Sequence, residues 1–143
     1  MVEEKSTNEL FSEIKKSNEL KLFLQKNSNI LRHPSIAEYF QTLLQQKKMD
    51  KAELIQKSGL DRVYVYQILS GKKTSPSRKK LIGLALTLKL TLDETQHLLK
   101  YGQTNELYPR NREDSLLIYS INNHLSVVNT NELLAELSFD IID

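Results

Sequence analysis

The 143-residue chain has no cysteine, four glycines and three prolines. Without cysteine there can be no disulfide, thiolate metal site or cysteine nucleophile. Glycine and proline fall well below their usual shares of about 7% and 5%. The few present lie between periodic segments, and the hairpin dipeptides Asn-Gly and Asp-Gly do not occur. An all-α chain is therefore expected. No apolar run reaches the roughly 18–20 residues that span a bilayer. The opening MVEEKSTNEL is acidic and polar, unlike a secretory signal. These features read as a soluble, cytoplasmic protein without a membrane partner, long enough to bury a core without staples.

Positive charge is missing from one end. The chain has 20 Lys+Arg against 18 Asp+Glu, a formal +2. From Glu113 to Asp143 there is no Lys or Arg, while Glu113, Asp114, Glu132, Glu136, Asp140 and Asp143 give −6. Residues 44–82 hold ten cations and three carboxylates, a net +7. A basic stretch beside an acidic end suggests a surface for an acidic partner.

What is abundant is helix punctuation. A Ser, Thr, Asp or Asn followed three residues later by an acid marks a helix start. Such pairs stand at Ser6/Glu9, Ser35/Glu38, Asp50/Glu53, Thr91/Glu94, Asn111/Asp114 and Asn129/Glu132. Apolar periodicity predicts two short helices over Ser6–Asn27, broken near Ser17-Asn18. It then predicts Ser35–Lys48, Asp50–Ser58, Asp61–Ser70, Ser77–Lys89 and Thr91–Tyr101, with stops at Gly59, Gly71 and Gly102. Two more follow, Arg112–Asn122 and Asn129–Leu137. The expected division is a helical extension at 1–33, a central domain at 34–103, and an acidic, apolar helical segment at 104–143.

The central unit is Asp50 to Gly71, DKAELIQKSGLDRVYVYQILSG. It reads as capped helix, glycine turn, capped helix. Gly59 reaches φ > 0 cheaply, which permits the tight turn. Leu60 plugs the angle, and Ala52, Ile55, Val65 and Ile68 supply the helix–helix contact. That is helix-turn-helix geometry.

Over Ile36–Tyr101 the sequence resembles the Cro and phage-repressor type of helix-turn-helix domain, the xenobiotic-response-element family. The resemblance rests on Leu43-Leu44, Asp50, Glu53-Leu54, Ser58-Gly59-Leu60-Asp61-Arg62, Val65, Gln67-Ile68, Ser70-Gly71-Lys72-Lys73, Pro76-Ser77, Leu81, Leu84-Ala85 and Leu90 to Glu94. Ile55 stands where the family usually has alanine, and Tyr64-Val65-Tyr66 is bulkier than usual. The resemblance implies a five-helix, lambda-repressor-like domain with helical extensions on both sides. It implies double-stranded DNA as partner, a homodimer, and transcriptional repression by occupying an operator, at the nucleoid when bound. Base contacts would fall on Arg62, Val63, Tyr66 and Gln67. Phosphate contacts would fall on Lys51, Tyr64, Lys72, Lys73, Arg78, Lys79 and Lys80.

The apolar residues of 113–143 have two readings. Most would pack back onto the central core. Alternatively Leu117, Tyr119, Val127, Leu134, Phe139 and Ile142 form a dimer or partner surface held away from phosphate. In that case the helix-turn-helix could serve as an adaptor or antitoxin-type protein. The histidines at 33, 97 and 124 lack metal-ligand spacing. No catalytic motif is recognisable, so neither an enzyme nor a cofactor is expected.

Overall fold

In the computed structural model, Ser6, Thr7, Leu20 and residues 33–143 are described. The cap pair Ser6/Glu9 and the helices expected over Ser6–Asn27 lie outside the described residues. Each helix from residue 35 onward begins where a short polar side chain accepts the N–H of its third residue, satisfying one free donor. Ser35 caps α1 (Ile36–Lys47), with Glu38 returning to the Ser35 N–H. Asp50 caps α2 (Lys51–Ser58), and Asp61 caps α3 (Arg62–Leu69). Ser77 caps α4 (Arg78–Thr87). Thr91, reciprocated by Glu94, caps α5 (Leu92–Tyr101). Asn111 caps α6 (Arg112–Asn122). The last helix departs from expectation. Ser126, not Asn129, caps α7 (Val127–Glu136), and Asn129 is the residue whose N–H that cap satisfies.

The three expected glycine stops hold: α2 ends at Gly59, α3 just before Gly71 and α5 at Gly102. Gly59 does end α2 in the left-handed region, at φ 67°. Gly71 likewise takes positive φ after α3, at 85°, and after the other helices side-chain-bearing residues do so: Lys48, Lys89, Gln103, His124 and Ser138, at φ between 51° and 65°. Gly102 is not the left-handed residue after α5; Gln103 is. Close packing explains the glycine. A Cβ at position 102 would stand 2.5 Å from Leu81 Cδ1 and 3.3 Å from Ile36 Cδ1.

Residues 34–143 form one compact unit. In the helix-turn-helix half, α3 packs on α1 and α2, and α4 packs on α2 and α5. The centre is Phe40, Leu43, Leu54, Val65, Ile68, Leu81, Ile82, Leu84, Leu98 and Leu99, all essentially buried. Burying a leucine or isoleucine side chain contributes roughly 1.5–3 kcal/mol, so these residues set the domain's geometry. One detail of the helix–helix contact is corrected. On α2 the buried residues are Leu54 and Ser58, Ile55 is half-buried, and Ala52 faces out.

The acidic segment closes over this core. Helix α6 packs on α4 and α5, and α7 packs on α6 and α4. Leu117, Ile121, Leu134 and Ile142 are buried in the same cluster as Phe40 and Leu81. No strand occurs among the described residues, and no described helix is long and apolar enough to cross a membrane.

Candidate nucleic-acid interface

The turn between α2 and α3 is fixed from both sides. Gly59 supplies the left-handed backbone, and buried Leu60 hangs beneath it with its N–H on Ser58 Oγ at 3.2 Å. Asp61 then restarts the chain as a helix by accepting the Tyr64 N–H at 2.9 Å. Val65, Ile68 and Leu69 bury the inner face of α3. Helical spacing leaves the outer face to Arg62, Val63 and Tyr66, which are exposed, and to half-buried Gln67.

Lys51, at the start of α2, shares that face. An open groove of about 670 Å³ is lined by Lys51, Ala52, Ile55, Gln56, Arg62 and Tyr66. Among the described residues Lys51, Arg62 and Lys72 make no ion pair. Their nearby acids are occupied: Asp50 accepts the Glu53 N–H at 2.7 Å, Asp61 caps α3, and Glu53 pairs with Lys57 at 2.9 Å. Among the described residues the Arg62 guanidinium makes no ion pair with Asp61 or Asp50, each of which spends one carboxylate oxygen on a helix cap.

Residues 40–94 match a family model described as helix-turn-helix. Over those residues the chain is similar to the Cro and phage-repressor type of helix-turn-helix domain. The match covers α2, α3, α4 and most of α1, the elements that carry the groove and its cations. No curated protein and no solved structure matches the chain.

Beside the helix-turn-helix, Tyr64 organises the following loop. Its hydroxyl accepts the Ser77 N–H at 2.6 Å, just before α4. The Lys73 and Lys80 ammoniums lie 4.4 and 4.7 Å from its ring centroid. Tyr64 is thus a half-buried hub for two cations, and its hydroxyl proton stays available to an acceptor.

The basic start of α4 departs from the sequence expectation. The family resemblance implies phosphate contacts at Arg78, Lys79 and Lys80, and the expected partner surface on the acidic segment lies away from phosphate. The structure brings the two together. Arg78 donates from Nη1 and Nη2 to the two Asp114 carboxylate oxygens at 2.8 Å, from Nε to the Asn105 carbonyl at 2.9 Å and from Nη2 to the Glu106 carbonyl at 3.0 Å. Burial pushes the Asp114 carboxyl upward, but hydrogen bonds from Arg78 and the Tyr108 N–H, with the Arg78 charge, outweigh it and hold the pKa below normal. Lys79 pairs with Glu113 at 2.6 Å and donates to the Asp140 carbonyl. Lys80 donates to the Asp143 carbonyl at 2.7 Å. Arg78 is built into the fold rather than offered to solvent.

The residues expected at a dimer or partner surface divide as well. Leu117, Leu134 and Ile142 are buried in the domain's own core, because α6, α7 and the end of the chain cover α4 and α5. Val127 and Phe139 are half-buried, and Tyr119 is exposed. Sequence reasoning missed Glu113 and Asp114 as partners of α4. One signal was available: three cations open α4, where the helix dipole disfavours positive charge, so an anion is required nearby.

Proposed function

We propose that this protein is a sequence-specific DNA-binding regulator that lays α3 in the major groove and represses transcription by occupying its site. The observation that carries this is the shared face of Lys51, Arg62 and Tyr66 on a helix-turn-helix whose nearby carboxylates are all engaged elsewhere. Arg62 reads a guanine edge and Gln67 an adenine edge. Val63 meets a thymine methyl, and Tyr66 adds contact beside them. Lys51, Lys72 and Lys73 hold the phosphate backbone, and the Tyr64 hydroxyl donates to a phosphate beside the start of α4. Two copies on a two-fold site would double the contact, as palindromic operators require.

The test is selection from random duplex DNA at two salt concentrations. A defined site should emerge, and binding should weaken as salt rises. Arg62→Ala should lose about 1–3 kcal/mol of discrimination at one base position. Lys51→Ala should weaken all sequences alike and reduce the salt slope by about one. Absence of any salt-sensitive binding removes the reading.

One observation favours a second reading. Val63 and Tyr66 are 63% and 60% exposed, an apolar pair on the outer face of α3. Such a pair also suits a protein partner. Recovery of a stoichiometric partner whose contact is lost with Tyr66→Ala, and no DNA binding by the free protein, would select that reading.

A further inference from the structure

The last five residues, 139–143, leave α7 and run back to the start of α4. Two devices fasten them there. Ile142 is buried, and a Cβ built on Gly83 in α4 would stand 3.0 Å from Ile142 Cγ2 and 3.2 Å from Leu60 Cδ1. The missing side chain at position 83 thus gives Ile142 its seat beside the helix-turn-helix plug. The Asn131 side chain, on α7, clamps the same residue twice. It accepts the Ile142 N–H and donates to the Ile142 carbonyl, both at 2.8 Å.

The fastened segment lies against cations. The Asp140 and Asp143 carbonyls accept from Lys79 and Lys80, and both residues are exposed. The segment docked beside Lys79 and Lys80 thus carries two carboxylates, those of Asp140 and Asp143. Lys80 also lies over Tyr64, which joins this spot to the recognition helix. The three α4 cations therefore differ in kind. Arg78 is locked by buried Asp114, whereas Lys79 and Lys80 are held by carbonyls and an ion pair that a phosphate can replace.

We infer that residues 139–143 are an autoinhibitory strap that competes with DNA phosphate for Lys79 and Lys80. This rests on the DNA-binding reading above. With the strap docked, the protein meets DNA through Lys51, Lys72, Lys73 and α3. With the strap lifted, two further cations reach the backbone, and two carboxylates leave it.

Salt titration of the full chain tests this. Asn131→Ala removes the clamp while leaving the Ile142 side chain intact. Each added phosphate contact steepens the salt slope by about 0.9, so two steepen it by about 1.8. Between 50 and 200 mM salt the variant should therefore lose roughly twelvefold more affinity than the parent, starting from tighter binding at low salt. Adding Lys79→Ala and Lys80→Ala to Asn131→Ala should return the slope to the parent value. A second variant, Asp140→Asn with Asp143→Asn, keeps the packing and should bind more tightly at low salt with little change in slope. If both variants match the parent in affinity and slope while the parent binds DNA, the strap is no competitor and the DNA reading stands. If neither parent nor variants bind any duplex, both fall together.

Discussion

Asp114→Ala tests how strongly the acidic segment is tied to the helix-turn-helix domain. Asp114 is 5% exposed, accepts two hydrogen bonds from Arg78, and also accepts the Tyr108 N–H at 2.9 Å. Removing one partner of a buried ion pair costs about 3–5 kcal/mol when the other charge is stranded. The Arg78 side chain keeps 28% exposure and two carbonyl acceptors, which lowers that figure. The orphaned Tyr108 N–H raises it again by about 1 kcal/mol or more. The expected loss is about 3 kcal/mol, or roughly 10 °C in Tm for a domain of this size. Asp114→Asn keeps one acceptor and should lose about half as much. Thermal melts followed by circular dichroism measure both. The pH dependence supplies a check that packing alone would not reproduce. Because the folded pKa of Asp114 is depressed, its ionic contribution is complete above the unfolded pKa of about 3.9 and vanishes as pH falls through the folded value. The gap between parent and Asp114→Asn should be constant from neutral pH to about pH 5 and shrink in stronger acid. Equal Tm values at neutral pH, or a gap that persists unchanged into acid, would refute the clamp.

Two further outcomes test the packing and the helix ends. Gly102→Ala should destabilise by about 1–3 kcal/mol, because its Cβ would meet Leu81 and Ile36 in a filled core, and denaturant melts would show it. Lys89→Gly should stabilise by up to about 1 kcal/mol, since Lys89 holds φ 54° after α4 and glycine adopts that conformation without the Cβ penalty; an unchanged or lower midpoint contradicts this.

Local signals are legible in the sequence, and distant pairings are not. Ser35, Asp50, Thr91 and Asn111 cap the helices they were expected to start, because a cap depends on residues three apart. Asn129 misled because it follows the true cap, Ser126, by three residues, and an acid again stands three further on. Gly102 does mark the end of α5, but its second role, clearance between helices, and the left-handed turn at Gln103 depend on packing that a local pattern does not carry. On α3, the period of 3.6 was enough to put Val65 and Ile68 inside and Arg62 and Tyr66 outside. The contacts at the start of α4 could not be read that way. Arg78 meets Asp114 across 36 residues, and Lys80 meets Asp143 across 63. The +7 stretch and the −6 end are separate along the chain, yet the fold places part of one against the other. Charge counted along a sequence shows which surfaces exist, but folding decides which remain open.

In the proposed function α3 and the start of α2 face the DNA. Mapping backbone amide chemical shifts as a selected duplex is added tests it most directly. Shifts are expected at Lys51, Arg62, Val63, Tyr66, Gln67 and Lys72, with Arg112 to Asn122 little changed. Shifts confined to α6 and α7, with α3 silent, would contradict it.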